Sequence, residues 1–301
     1  MLAKKKSLSV AAFFMLLLFS SLSLAKDDGH FRDGLARDVY VPLTPKRIVS
    51  LAPNITEILF ALGLGNRVVG VTNYCNYPPE ALSKEKVGML LNPDIEKILS
   101  LSSDLVLWVS EGANEDTYDK LERVEATTFI VSPKNLEALF ESIILIGEVC
   151  RVKENAEKLV FHMKRKLEVI TDKTKGITPV DTLFLLDIDP PVSASSASFD
   201  GELLKIAGGR NVIGKSIVRY PRIGWEDIVK FSPQVIIIAK HNAEIVRQLK
   251  EFRERPAVKA TPAFRNNRIS LVDGDVVSRM GPRIIEALEI FAKTIHPGVF
   301  R

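Results

Sequence analysis

One phrase of this chain occurs twice, and the repeat limits the folds that the sequence can adopt. Residues 94–108 read DIEKILSLSSDLVLW, and residues 224–238 read GWEDIVKFSPQVIII. Each copy predicts a short helix with an acidic start, a polar turn and a buried strand. Upstream, residues 57–71 resemble residues 202–215. The sequence therefore predicts two similar α/β lobes, and a cleft between domains is a preferred place for small ligands.

The composition of successive segments predicts how the chain is divided. Residues 1–25 combine a lysine-rich start, an apolar run and a small-residue cleavage site, which is typical of a secretory signal peptide. Since no Cys lies near the cleavage point, we expect a soluble periplasmic protein that is not a lipoprotein. Residues 26–42 are predicted as an extended lead-in. The N-terminal α/β lobe is expected at 43–150 and the C-terminal α/β lobe at 179–301.

The segment between the lobes, residues 151–178, has the pattern of one long helix. Apolar residues such as Ala156, Val160 and Met163 recur at helical spacing, with charged residues between them. Such a helix is about 33 Å long. The remaining strands and helices alternate, which favours parallel sheets covered by helices. We therefore predict two Rossmann-like lobes with mostly parallel sheets, joined by a single backbone helix that permits only a small hinge motion.

Several functional classes are not indicated by the sequence. The net charge is only +4, and no basic patch with interleaved aromatic residues suggests nucleic-acid binding. The four histidines are scattered, which disfavours a multi-histidine metal site. His241 follows a predicted strand and stays open as an axial metal ligand. Cys75 and Cys150 fall in separate elements, which disfavours a disulfide. Without a nucleophile motif or a cofactor motif, we expect neither an enzyme nor a resident cofactor.

Residues 209–216, GRNVIGKS, match the letters of a phosphate-binding loop. That loop requires a strand before it and a helix after it, so that backbone N–H groups face the phosphate. Here a helix precedes the motif and no helix is predicted to follow. We interpret the segment as a glycine turn between a helix and a strand.

Two pairs of residues occupy related places in the two lobes. Tyr74 and Tyr220 lie in loops beyond predicted strands, where open α/β sheets bind ligands, although ordinary loop packing is the alternative. Glu96 and Glu226 begin the two repeated helices. They either complement the helix dipole or present one carboxylate per lobe to arginines of a symmetric partner. Asp275 and Arg279 follow the last strand and either reach the cleft or form a local ion pair.

Five segments together resemble one family, the periplasmic binding proteins of ABC importers for vitamin B12 and iron siderophores. The likeness runs from about residue 47 to residue 297 and is closest to the cobalamin-binding member. It implies permease contacts at Glu96 and Glu226. It also implies contacts with the ligand at Tyr74, Tyr220, Asp275 and Arg279. The family's tryptophan before the first repeated helix is replaced here by Met89-Leu90. The five segments are RIVSLAPNITEILFALGLGNRVVGVT, NYPPEA, IEKILSLSSDLVL, WEDIVKFSPQVIII and SRMGPRIIEALEIFAKTIHP.

The resemblance predicts a monomeric receptor that captures a corrinoid and delivers it to an ABC importer permease dimer in the inner membrane. Haem or a ferric siderophore is the alternative ligand. Such anionic ligands would use the arginines Arg219, Arg222 and Arg279, and Arg222 is included among the predicted ligand-binding residues. A metal-insertion enzyme or a pure interaction protein of the same fold stays open as a different class.

Overall fold

The computed structural model describes residues 29–300, so the predicted signal peptide at 1–25 lies outside the described residues. Two α/β lobes, each built on a largely parallel sheet, are joined by one long helix. This confirms the predicted fold class. No helix within the described range is both long and apolar enough to span a bilayer.

The segment predicted as an extended lead-in contains a small antiparallel hairpin. Its strands are β1 (His30–Arg32) and β2 (Asp38–Tyr40). The turn between them is attached to the N-terminal lobe, because the Gly34 N–H donates to the carbonyl of Ile130 at 2.6 Å. A Cβ atom at Gly34 would lie 2.8 Å from a neighbouring backbone nitrogen, so only glycine allows this approach.

The N-terminal lobe contains a five-stranded sheet in which every neighbouring pair is parallel. Helical segments alternate with the strands along the chain, as parallel pairing requires. The strands are β3 (Ile48–Ser50), β4 (Val68–Val71), β5 (Glu85–Lys86), β6 (Leu105–Val109) and β7 (Thr128–Val131), in the spatial order β5-β4-β3-β6-β7. The helices are α1 (Pro53–Ala61), a 3-10 turn (Pro79–Ser83), α2 (Ile95–Ser100), α3 (Glu115–Arg123) and α4 (Leu136–Val149).

The helix α5 (Lys153–Thr174) joins the lobes and lies within the predicted connecting segment. The C-terminal sheet has the spatial order β10-β8-β11-β12, with β9 antiparallel to β8 at one side. Its strands are β8 (Val180–Ile188), β9 (Pro191–Ser193), β10 (Gly209–Asn211), β11 (Val235–Lys240) and β12 (Ile269–Asp273). The helices are α6 (Phe199–Ile206), α7 (Trp225–Phe231), α8 (Glu244–Glu254), α9 (Pro256–Lys259), α10 (Pro262–Arg265), α11 (Gly274–Val277) and α12 (Ile284–Ile295).

The sequence repeat is also a repeat of backbone structure. In the first copy α2 leads into β6, and in the second copy α7 leads into β11. Ser102 and Ser232 occupy the same place in the two copies and both adopt the left-handed conformation, with φ of 48° and 46°. Such a residue ends a helix and redirects the chain. Both following strands are interior to their sheets, which explains their continuous apolar sequence.

The phosphate-loop letters belong to a glycine turn, as predicted. After α6 ends, Gly208 has a φ of +81°, and β10 begins at Gly209. Residues 212–224 contain no helix. The segment therefore has no helix N-terminus to place against a phosphate.

One hydrophobic core continues from lobe to lobe. It includes Leu51 and Ile55 of the N-terminal lobe, Met163 of α5, and Leu203 and Phe291 of the C-terminal lobe. The helix α12 packs against both α5 and α6. Separating the lobes widely would expose part of this shared core, which favours a cleft that is nearly preformed.

Candidate functional site

The predicted cleft residues lie in loops at the carboxyl ends of the strands, as the fold requires. Tyr74 follows β4 and leaves 55% of its surface exposed. Asp275 and Arg279 follow β12. The structure brings these three residues together, because Arg279 donates to the Tyr74 carbonyl at 3.2 Å and pairs with Asp275 at 2.8 Å.

Asn76 links the two lobes at this edge of the cleft. Its amide nitrogen donates to Asp275 at 2.7 Å, and its amide oxygen accepts from Arg279 at 2.7 Å. The three side chains thus form a closed ring across the lobes. Asp275 and Arg279 form the local ion pair that was one of the two alternatives. Contact of these residues with a ligand stays a prediction.

A buried carboxylate completes the contact between the lobes. Glu57 of α1 has only 2% of its side chain exposed. It accepts from Arg283 at 2.6 and 3.0 Å and from Arg279 at 3.3 Å. Paired contacts between a guanidinium and a carboxylate are among the stronger hydrogen bonds in proteins. We call Glu57, Asn76, Asp275, Arg279 and Arg283 the interlobe cluster.

The interlobe cluster is balanced in charge, with two carboxylates and two guanidinium groups. Burial lowers the pKa of Arg283, but its hydrogen bond to Glu57 and the charge of that carboxylate outweigh this effect and leave the pKa raised. Arg283 also lies 4.0 Å from the ring centroid of Tyr77, a cation–π contact. The cluster therefore keeps Arg283 charged without creating a surplus of positive charge.

On the C-terminal lobe, Tyr220 leaves 41% of its surface exposed and lies over a buried acid. Burial raises the pKa of Asp200 to about 6, although a hydrogen bond with Tyr220 opposes that rise. Burial and the neighbouring Asp200 raise the pKa of Tyr220, and the charge of Glu111 in the other lobe adds to this rise. Tyr220 is therefore a neutral phenol within electrostatic range of the N-terminal lobe.

Backbone hydrogen bonds hold the segment that carries Tyr220 in place. The Ser195 N–H donates to the Arg219 carbonyl at 2.8 Å, and the Ser193 N–H donates to the Pro221 carbonyl at 3.0 Å. Arg222, also a predicted ligand residue, pairs with a residue of β9 in an isolated bridge, and its side chain is exposed. Both predicted residues are thus held on one strand-like segment beside β9.

Glu96 and Glu226 are exposed in the first turns of α2 and α7. Asp94 accepts from the Lys97 N–H at 2.9 Å and thereby caps α2. Asp227 accepts from the Gly224 N–H at 2.9 Å at the start of α7. Since other carboxylates make these capping contacts, both glutamates are left exposed at matching places in the two lobes.

His241 lies at the end of β11 and lines a cavity of about 460 Å³ together with Asp273 and Asp275. Its ring packs on Gly274, where a Cβ atom would lie 2.4 Å from Nδ1. Among residues 29–300, no group of three or more His, Cys, Asp or Glu side chains is arranged to hold a metal ion. Contact of His241 with a bound metal stays a prediction.

A second, larger groove of about 760 Å³ lies between the lobes on the side of α5. Tyr77, Glu57 and Arg283 contribute to it, together with residues of α5 and α12. Tyr74, Tyr220, Asp275 and Arg279 do not line this groove. The interlobe cluster therefore borders both the groove and the predicted ligand site, because Glu57 and Arg283 line the groove and Asp275 and Arg279 are predicted ligand residues.

Several residues of the site, including Arg283, were not identified from the sequence. Asn54 and Glu57 have the spacing of a capping pair at the start of a helix, but α1 has no side-chain cap. Asn54 instead donates to the Met280 carbonyl at 3.2 Å, across the lobes. The only available signal was a charged residue within an apolar helix. Asn76 and Asp200 gave no sequence signal.

Comparison with known proteins places this architecture in a family. The model of the periplasmic binding protein family matches residues 48–276. An uncharacterized ABC transporter substrate-binding lipoprotein of Bacillus subtilis, YvrC, is 34% identical over 282 residues, which cover 89% of this chain and 86% of that protein. The solved vitamin B12 binding protein BtuF of Vibrio cholerae is 27% identical with a TM-score of 0.72, covering 85% of this chain and 98% of that chain. The apo heme-binding protein RhuT of Roseiflexus sp. RS-1 is 28% identical with a TM-score of 0.77, covering 84% and 98%.

The Bacillus subtilis relative corrects one sequence-based prediction. We expected a periplasmic protein that is not a lipoprotein, because no Cys follows the predicted cleavage site. A relative over 89% of this chain is named a lipoprotein, which contradicts that expectation. A cleavage-site pattern describes export, and membrane attachment varies among proteins that share the binding fold.

Each of these proteins is a binding protein and none is named an enzyme. The family match covers most of the chain, and the two lobes and single connecting helix agree with the solved relatives. The chain is thus a member of the periplasmic binding protein family, the substrate-binding components of ABC transporters.

Proposed function

We propose that this protein captures a corrinoid in the cleft between its lobes and delivers it to an ABC importer permease. The main support is the likeness to the Vibrio cholerae vitamin B12 binding protein, which is matched over 98% of its length at 27% identity. The protein would perform no chemistry and would hold no cofactor of its own.

The residues of the cleft suit a large ligand with little net charge. Tyr74 and Tyr220 offer exposed aromatic surface on different lobes, which supports stacking and van der Waals contact. Asp275 and Arg279 contribute polar groups that are already neutralised within the interlobe cluster. Since the cluster has no surplus charge, it favours an uncharged amide-bearing corrinoid over an anion.

Haem or a ferric siderophore is the second candidate ligand. The observation in its favour is the 28% identity to a protein named heme-binding, with a TM-score of 0.77. Arg219 and Arg222 are exposed beside Tyr220 and would pair with carboxylates of such a ligand. In this alternative, His241 is the candidate axial ligand.

A competition experiment distinguishes the two ligands. The purified protein is titrated with cyanocobalamin and, separately, with haemin, and absorbance spectra report each complex. We expect saturable binding of cyanocobalamin that excess haemin does not displace. Binding of haemin alone would replace the corrinoid by haem. Binding of neither would contradict both of these ligands and leave a ferric siderophore as the candidate.

Delivery to the permease is proposed to use Glu96 and Glu226. Each is exposed in the first turn of a repeated helix, one in each lobe. A permease dimer would present two equivalent arginine sites to them, and each contact would be a guanidinium–carboxylate pair. We propose that a single copy of this chain docks on the dimer.

A further inference from the structure

The loop that carries Tyr74 is held by residues of the opposite lobe. Arg279 donates to the Tyr74 carbonyl at 3.2 Å and to Asn76 at 2.7 Å. Arg283 lies 4.0 Å from the ring centroid of Tyr77. Two arginines of the C-terminal lobe thus contact three residues within one short loop of the N-terminal lobe.

Both arginines share one carboxylate acceptor, which is the main partner of Arg283, whereas Arg279 also pairs with Asp275 at 2.8 Å. Glu57 accepts from Nε and Nη2 of Arg283 and from Nη1 of Arg279. The Glu57 side chain is nearly inaccessible, so water cannot replace these partners if they are lost. A guanidinium group held by a bidentate contact of this kind has a fixed plane and direction.

A surface ion pair contributes little to positioning, because water competes with it. The contacts of Glu57 differ in burial and in reach, since they join residues 222 and 226 positions apart in the chain. Loss of the charge at Glu57 would leave two arginines without their shared acceptor. The loop would then lose the groups that hold it against the C-terminal lobe.

We propose that Glu57 is a positioning residue for the ligand loop, residues 73–77, and that it acts through Arg279 and Arg283 of the opposite lobe. Its carboxylate holds the two guanidinium groups, and these hold Tyr74, Asn76 and Tyr77. Glu57 itself does not contact the ligand in this account. The part of the proposal that concerns affinity rests on the proposed function.

Hydrogen exchange tests the positioning role without any ligand. The comparison is between the full chain and its Glu57→Gln variant, which keeps the shape of the side chain and removes its charge. We expect the amides of residues 73–77 to exchange about tenfold faster or more in the variant. Amides of β11, which is remote from Glu57, should be unchanged. Glu80→Gln, at an exposed acid of the same groove, is the matched control and should exchange like the unmodified protein.

If Glu57→Gln does not fold, Arg283→Gln provides the same test from the other lobe, at a less buried position. Exchange in residues 73–77 that is unchanged in a folded variant would overturn the proposal. Faster exchange throughout the molecule would also overturn it, since it would indicate a role in overall stability alone.

Affinity for cyanocobalamin then tests the route through Tyr74. We expect Glu57→Gln to weaken binding about tenfold in the unmodified background and to have little further effect in a Tyr74→Ala background. Equal losses of affinity in both backgrounds would show that Glu57 does not act on the ligand through Tyr74. If the unmodified protein does not bind cyanocobalamin, the proposed function fails, while the exchange experiment still decides the role of Glu57.

Discussion

At the scale of single residues, Asp200 makes stability depend on pH. Only 2% of its surface is exposed, and burial raises the pKa of its carboxyl from 3.8 to about 6. Between these values the native state binds more protons than the unfolded chain. The free energy of unfolding therefore falls as pH rises through this window.

We predict that this group alone lowers the free energy of unfolding by about 2 kcal/mol between pH 4 and pH 7. The Asp200→Asn variant should lose this dependence, because the amide does not ionise. Urea unfolding at both pH values measures the difference. Asp172→Asn, at an exposed acid of α5, is the control and should keep the dependence. Equal pH dependence in Asp200→Asn and the unmodified protein would contradict the assignment.

The two cleft tyrosines give a second prediction at this scale, which rests on the proposed function. Tyr74→Ala and Tyr220→Ala should each weaken cyanocobalamin binding about tenfold or more, since aromatic anchors carry much of the affinity of binding sites. Tyr40→Ala removes an equally exposed ring from the hairpin and should leave affinity unchanged. Calorimetric titration of the three variants checks this, and a loss in Tyr40→Ala alone would argue against the cleft.

Asn54 and Glu57 show why contacts of single residues were harder to predict than the elements that carry them. Their spacing fits a local capping pair, and the sequence contains no information about the opposite lobe at that point. In the structure both side chains contact residues more than 200 positions away. Local pattern reasoning considers neighbours in the chain, so contacts made by tertiary packing were missed.

At the scale of elements, the crossing of α4 and α5 depends on one glycine. A Cβ atom at Gly147 would lie 2.4 Å from the Cβ of Ala156, so the two helices approach closely only with glycine at this position. Alanine usually stabilises a helix interior relative to glycine by about 1 kcal/mol. Here the steric conflict is expected to outweigh that gain.

We predict that Gly147→Ala lowers the free energy of unfolding by about 1–3 kcal/mol, as overpacking does in other cores. Adding Ala156→Gly should recover part of the loss, because it removes the opposing methyl group. Denaturant unfolding of both single variants and the double variant measures the coupling. Purely additive effects would show that the two positions do not compete for space.

Elements with strong apolar periodicity were predicted well. The connecting helix α5 lies inside the segment 151–178, where the spacing of apolar residues predicted it. The antiparallel β9 was missed, because its three residues, Pro191–Ser193, carry no strand pattern of their own. It forms by pairing with the extended end of β8, so its position is set by tertiary context.

At the scale of the whole molecule, the two lobes share a core and a cluster of buried charges, and they present matching acidic residues. We predict that reversing both charges, Glu96→Arg with Glu226→Arg, abolishes uptake while ligand affinity stays normal. Both side chains are exposed, so folding should be little affected. Uptake of labelled cyanocobalamin by cells that carry only the variant is the measurement.

The control for charge alone is the pair Glu157→Arg and Glu251→Arg, on exposed faces of α5 and α8. This pair should leave uptake unchanged. Normal uptake by the Glu96 and Glu226 variant would exclude the proposed docking role. Loss of uptake in both pairs would indicate sensitivity to total charge.

The sequence repeat predicted the two lobes, and its match to a family predicted the class of binding protein. The identity of the ligand is harder to predict. The surface that binds it is formed by loop residues from both lobes, and the relative positions of these residues depend on packing. Tyr74 and Tyr220, for example, have different neighbours, the first at the interlobe cluster and the second above Asp200. Knowing that both residues are tyrosines does not determine the shape of the cleft between them.

The central claim is that one corrinoid binds in the cleft between the lobes. Isothermal titration of the purified protein with cyanocobalamin tests it most directly. The account predicts saturable heat with one ligand bound per chain and sub-micromolar affinity. The absence of heat, together with no binding by equilibrium dialysis, would contradict the corrinoid assignment.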